Sequence, residues 1–272
     1  MQLASFRIVN GGRKTIGAFV SHCYIDLHAL TGGQLPADML AFLQLGDTGM
    51  HAARAALKQL EGKLNPTGLS SLRGPGGDRY AWAPAEIVLA APVPRPGKIM
   101  HTSCNFTAHL SELTTWKEPE WQSHNWKDFH FEHPTGFLEA PSSGVASGAK
   151  VPVPHFTKQL DYEIEIAIII GKPAFRVSIA DAMDYVAGYT IFNDLSARDI
   201  QAREHSNKVI LLGKSFDGSC PFGPHLVTPD ELGNPHELAM KLYVNGRLRQ
   251  DSNTSQMHYK TAELVSWWSN TT

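Results

Sequence analysis

The stretch Asp161-Tyr162-Glu163-Ile164-Glu165-Ile166-Ala167-Ile168-Ile169-Ile170-Gly171 constrains the fold more than any other part of the chain. Its density of β-branched residues and its stop at a glycine predict a buried strand. Side chains alternate along a strand, so Glu163 and Glu165 share one face. Ile164, Ile166, Ile168 and Ile170 line the other, which reads as core. Two adjacent carboxylates repel each other and resist losing water unless a positive charge sits between them. A hard divalent cation, Mg²⁺, Mn²⁺ or Ca²⁺, supplies that charge and prefers oxygen ligands. A strand end emerging into solvent is the other reading of the same residues.

A chain of 272 residues buries a substantial core as one large domain or two smaller ones. A net charge of -2, with no cluster of Lys and Arg, argues against nucleic acid or an anionic membrane as the main partner. The first ten residues lack the basic and apolar regions of a signal peptide, and no run of about 18 apolar residues predicts a membrane span. Cys23, Cys104 and Cys220 stand far apart, in no metal-finger spacing, and fit free thiols in the cytoplasm. Cys104 is open to two readings, a nucleophile or a small buried residue.

Alternation around Asn10-Gly11-Gly12 predicts a hairpin or meander over residues 1–30, and helical spacing follows over 36–62 with a break near Gly46-Asp47. Pro92, Pro94 and Pro96 read as an extended linker, which places a boundary between an N-terminal α+β domain, 1–92, and a second domain, 93–272. Strands are expected near 160–170, 185–193 and 240–246, with helices at 105–114, 196–206 and from about 259. The class is α+β.

Chemistry-bearing residues concentrate in the second part. His109 and Glu112, three apart on a helix, share one face; they are either a surface ion pair or a base that activates water. A strand runs into Asp194, which is open to two roles, cap of the next helix or third carboxylate of a metal site. Arg198 and Gln201 offer donors for a substrate carboxylate, unless Arg198 pairs with Asp199 or Asp194. Lys214, among small and turn-forming residues, suits an oxyanion or keto oxygen; a lysine exposed on a turn is the alternative.

Taken together, Asn105-Phe106-x-x-His109-x-x-Glu112, Asp161-Tyr162-Glu163-x-Glu165, Asn193-Asp194-x-Ser196-x-Arg198-Asp199-x-Gln201, Gly213-Lys214-Ser215-Phe216-Asp217 and Val244-Asn245-Gly246 resemble the fumarylacetoacetate hydrolase family over roughly residues 95–268. The resemblance implies a mixed β-roll catalytic domain, a homodimer, and Mg²⁺ or Mn²⁺, with Ca²⁺ as a further option, held by Glu163, Glu165 and Asp194. It further implies a water-activating His109–Glu112 dyad, Lys214 polarising a carbonyl, and Arg198 and Gln201 on the substrate. The implied reaction is hydrolysis of a C–C bond in an acylpyruvate-like 1,3-diketo acid, as in aromatic catabolism. A decarboxylase, isomerase or dehydratase on the same metal–enolate platform, and a non-catalytic remnant, are the alternatives.

Three departures accompany the resemblance. Phe106 replaces a common tyrosine. Glu139, in Phe137-Leu138-Glu139, replaces a common lysine and reverses a charge near the expected pocket. The chain also stops after Trp267-Trp268, before a strand and loop that close the roll, and so reads as C-terminally incomplete: a fragment, or an open catalytic domain. The insert at 116–134, with Trp116, Trp121, Trp126, His124, His130 and His133, reads as a lid or as a loop packed on the N-terminal domain or a dimer mate.

Overall fold

The computed structural model describes residues 1–64, 68–117, 121 and 132–272. The N-terminal meander is β1 (Gln2–Ile8), β2 (Lys14–Val20) and β3 (Cys23–Asp26), followed by helices Met39–Gln44 and Gly46–Lys58. Short strands β4 (Ala81–Trp82) and β5 (Ile87–Leu89) precede β6 (Ile99–Thr102) and β7 (Gly136–Glu139), which pair with each other. Then come β8 (Gly144–Ala146), β9 (Leu160–Asp161), β10 (Ile164–Ile170), β11 (Val186–Asn193), β12 (Ser196–Ala197) and β13 (Cys220–Val227). β14 (Ala239–Val244) and β15 (Arg247–Asn253) form a separate hairpin. Its turn holds Asn245 at φ +50° and Gly246 at φ +74°, the left-handed pair that a two-residue hairpin turn requires.

Among the described residues one nine-stranded sheet runs β10-β11-β13-β1-β2-β3-β4, with β5 also on β1 and β8 parallel to β13. The pairing Leu3↔Leu226 joins the N-terminal meander to the C-terminal strands. Leu3, Phe42, Phe192 and Phe222 share the largest apolar cluster. The expected boundary between 92 and 93 therefore falls within one continuous sheet and one shared core.

β10 is less buried than its composition predicts. Among the described residues it has a single sheet neighbour, β11, and its residues are half-buried, with Ile170 exposed. Both of its faces pack: Ile166 and Ile168 join the cluster of Val186, Tyr189 and Val265, while Ala167 and Ile169 lie on the large core.

A second difference concerns Ser196, expected to open a helix. Ser196 and Ala197 instead pair with Asp161 and Leu160, and the helix runs Arg198–Ser206 with Ala197 at its N-cap position. Ser196 Oγ donates to the Asp194 carbonyl, 3.1 Å away. Asp194 is consequently not a helix cap.

Of the insert, His124, Trp126 and His130 lie outside the described residues. Trp121 packs with Leu113 and Ala202, and Trp116 meets it edge-on with ring centroids 4.9 Å apart. His133 stacks on Trp267 at 4.4 Å. These described aromatics rest on the helices that flank the site, not on the N-terminal meander. Among the described residues no helix is long and apolar enough to cross a membrane.

Candidate active site

The β10–β11 ladder sets the spacing of the acids. Ile164 pairs with Asn193 and Glu165 with Phe192. One step beyond, the Glu163 N–H donates to Asn193 Oδ1 (3.1 Å) and the Asp194 N–H donates to the Glu163 carbonyl (2.9 Å). Glu163 is thus fastened beside Asp194, with Glu165 two residues further along the chain.

Lys214 is delivered by the loop after the Arg198–Ser206 helix. The Glu204 carboxylate accepts the N–H groups of Leu211, Leu212 and Gly213 at 2.7–3.1 Å. A Cβ at residue 213 would lie 2.8 Å from Gln201 Cα, so glycine alone allows the loop to press against the helix. The result is an ammonium that donates to Glu163 Oε2 and Asp194 Oδ2, each at 2.7 Å.

Arg198 divides its guanidinium among three partners: Asp161 Oδ2 at 2.9 Å, Gln201 Oε1 at 3.0 Å and Glu163 Oε1 at 2.5 Å. Its partners are therefore Asp161 and Glu163, not the Asp199 or Asp194 that sequence proximity suggested. Asp199 instead binds the Thr157 hydroxyl and the Lys158 N–H.

The charges respond to this arrangement. Burial works against the Glu163 carboxylate, but Arg198 and Lys214 outweigh it and hold its pKa well below the ordinary value. For Glu165, burial and then repulsion from Glu163 outweigh the pull of His101, His109 and Lys214 and push it up to about 7. Burial would lower Lys214, yet Asp194 and Glu163 keep it above its usual value. Burial also drives the Cys104 thiol up to about 12, with Glu163 adding to the effect. A thiol held protonated is a poor nucleophile, and Cys104 packs against the cluster of Leu113, Trp121 and Ala202.

Glu163, Glu165, Asp194, Arg198, Gln201, Lys214 and His109 all line one cavity of about 970 Å³. Glu112 stands at its outer edge, with Oε2 3.6 Å from His109 Nδ1 and its side chain 60% exposed. Glu112 and Glu163 outweigh the burial of His109 and raise its basicity.

Two neighbours of this cluster were not singled out as site residues from the sequence. His101 on β6 places Nε2 3.1 Å from Glu139 Oε2 and Nδ1 3.4 Å from Asp194 Oδ2. Glu139, expected to present a reversed charge to substrate, is buried and bound to His101 and the Cys220 thiol. The available signal was a buried acid on a strand, which demands a cationic or donor partner.

Glu163 and Asp194 meet at the Lys214 ammonium, and Asp194 Oδ1 is buried with no hydrogen-bond partner among the described residues, an oxygen suited to a hard cation. The described residues that bring three ligand atoms within 4.8 Å of one another are His101, Glu139 and Asp194. Carboxylates lining one cavity, with a lysine and an arginine bound to them, have the chemistry to take an anionic ligand and a divalent ion. The chain belongs to the fumarylacetoacetate hydrolase family: the fumarylacetoacetate (FAA) hydrolase C-terminal family matches residues 98–272. That family is enzymatic, and the α+β architecture agrees with the expectation from its motifs.

Among relatives, the chain is 36% identical over 234 residues to the mitochondrial oxaloacetate tautomerase Fahd2a of Rattus norvegicus, covering 86% of this chain and 64% of the relative. It is 37% identical over 188 residues to the oxaloacetate tautomerase YisK of Bacillus subtilis, covering 68% and 58%. The chain thus spans less than two thirds of the length of these relatives. Among solved structures, maleylpyruvate hydrolase from Sphingobium sp. SYK-6, in complex with manganese(II) and pyruvate, matches with a TM-score of 0.71 and 25% identity, covering 100% of this chain and 84% of that one.

Proposed function

We propose that this chain performs metal-dependent enolate chemistry on a short 2-oxo acid, and that its reaction is keto–enol tautomerisation of an oxaloacetate-like dicarboxylate. The observation that carries this reading is the meeting of Glu163, Asp194 and the Lys214 ammonium at 2.7 Å beside Glu165. The tautomerase names of relatives at 36% and 37% identity support the choice of reaction.

Glu163, Glu165 and Asp194 would hold Mg²⁺ or Mn²⁺, whose charge lowers the energy of an enolate. The chain's own groups do the rest. Lys214 provides a fixed N–H donor for the substrate oxygen that gains charge. His109, with Glu112 holding its tautomer, is the cavity residue suited to move a proton between carbon and solvent. Arg198 fixes Glu163 and Gln201, which shapes the floor against which the substrate carboxylate rests.

Hydrolysis of an acylpyruvate is the second reading. The His109–Glu112 contact favours it, since activated water is needed only for cleavage. The two are separated by following the enol absorbance of oxaloacetate and the cleavage of an acylpyruvate in parallel, with Mn²⁺, for the unmodified chain, Glu165→Ala and His109→Ala. Accelerated enol decay that Glu165→Ala abolishes is the expected result. Cleavage without tautomerisation, lost in His109→Ala, would replace the tautomerase reading with the hydrolase.

A further inference from the structure

His101 is held more firmly than a packing residue requires. Its ring stacks on Phe137 with centroids 4.8 Å apart and 7° between planes, and meets Phe192 nearly edge-on at 5.2 Å. Each ring nitrogen faces a carboxylate, Nε2 towards Glu139 and Nδ1 towards Asp194. Glu139 is itself fixed, because the Cys220 thiol donates to the same oxygen that His101 contacts, and Ser143 Oγ lies 3.1 Å from that sulfur. Four elements, β7, β11, β13 and the 141–143 turn, therefore converge on the orientation of one imidazole carried by β6.

The consequence falls on Asp194. Its Oδ2 takes the Lys214 ammonium at 2.7 Å and faces His101 Nδ1 at 3.4 Å. Its Oδ1 is buried and has no partner in the described structure. The Lys214 hydrogen bond to Oδ2, with the imidazole nitrogen facing the same oxygen, sets the carboxylate's rotation about its Cβ–Cγ bond and leaves the other oxygen for something else. We infer that His101 is a positioning residue, which with Glu139 behind it turns Asp194 so that Oδ1 is the oxygen offered to the divalent cation. This rests on the metal-site reading above and extends it to a group outside the carboxylate set.

Groups behind a metal ligand commonly govern affinity as much as the ligands do. The test is Mn²⁺ titration followed by electron paramagnetic resonance, with thermal unfolding to check folding and metal analysis to count ions. Removing His101 alone would strand the buried Glu139 carboxylate, so the comparison is made against Glu139→Gln. His101→Ala with Glu139→Gln is expected to weaken Mn²⁺ binding about 10–100-fold relative to Glu139→Gln while still unfolding cooperatively. His101→Asn with Glu139→Gln retains an N–H for Asp194 and is expected to recover affinity to within about threefold.

Unchanged affinity in the alanine variant would overturn the inference and leave the metal site standing. Two ions per chain, one of them lost with His101, would also overturn it, because His101, Glu139 and Asp194 offer ligand atoms within 4.8 Å of one another and would then be ligands themselves. No Mn²⁺ binding by the unmodified chain would instead bring down the metal-site reading, and the inference with it.

Discussion

The Lys214 ammonium lies 2.7 Å from both Glu163 Oε2 and Asp194 Oδ2, so one cation joins two acids that flank different strands. Without it, two buried carboxylates lose their shared counter-charge. Removing one partner of a buried pair costs about 3–5 kcal/mol. Lys214→Met is therefore expected to lower the melting temperature sharply in the absence of metal. A divalent ion supplies the missing charge, so saturating Mn²⁺ should shrink the difference. Calorimetry of both proteins with and without Mn²⁺ checks this; an equal deficit in both conditions would mean that Lys214 does not share its site with the cation.

Glu165 sets a pH dependence whose sign follows from its raised pKa of about 7. A cation requires the ionised carboxylate, so a proton competes with Mn²⁺ below that value. Affinity is expected to fall about tenfold per pH unit as pH drops through 7, and to level off above it. The metal-free protein should show the opposite trend. A carboxyl whose folded pKa lies above its unfolded one favours folding when protonated, and this contribution is lost as pH rises from the ordinary carboxylate range to about 7. Glu165→Gln should remove the Glu165 share of both curves and leave that of Asp194, whose carboxyl burial also pushes up to about 7; isothermal titration and denaturation across pH 5–8 would measure this.

Much of the site was legible because its chemistry is local. Glu163 and Glu165 are two residues apart, and Arg198 and Gln201 share a helical face, so short-range periodicity alone groups them. What stayed hidden depends on distant pairing. Glu139 stood out as a reversed charge, but its partner lies on β6, and the register Ile99↔Glu139 with His101↔Phe137 is set across an intervening segment of more than thirty residues. No periodicity reports such a register. The half-exposed state of β10 was hidden for a similar reason: its composition suits a central strand, while its edge position depends on which strands assemble around it. The role of Asp194 was ambiguous because an acid shortly before a helix reads equally well as a cap, and Ser196 was read into the helix because its pairing with Asp161 is a distant contact.

Arg198 tests whether geometry or charge alone holds the cluster. Its fork reaches Asp161, Gln201 and Glu163, and its guanidinium lies 5.0 Å from the centre of the Trp116 ring. Lysine keeps the charge but cannot reproduce a planar fork. Arg198→Lys is expected to cost about 1.5–3 kcal/mol, the range for hydrogen bonds to charged groups. Near-ultraviolet circular dichroism should report a changed environment for Trp116. Unaltered stability and spectrum would mean that only the charge matters at this position.

Gly213 gives the most local test of how the fold places its chemistry. A Cβ there would meet Gln201 N and Cα at 2.8 Å, and backbone cannot give way as a flexible side chain can. The 211–213 loop must then shift away from the helix, carrying Lys214 with it and straining the three N–H bonds to Glu204. Gly213→Ala is expected to cost about 1–3 kcal/mol, as overpacking does. Its effect on turnover should exceed what the loss of folded protein explains, because a misplacement of about 1 Å at a reacting group can cost on the order of a hundredfold in rate. Gly76→Ala is the matched control: nothing lies within 4 Å of its added methyl, and no left-handed φ is required there. That substitution should be neutral or slightly stabilising. Equal effects of the two in chemical denaturation and turnover would show that the approach of the loop to Gln201 has no part in presenting Lys214.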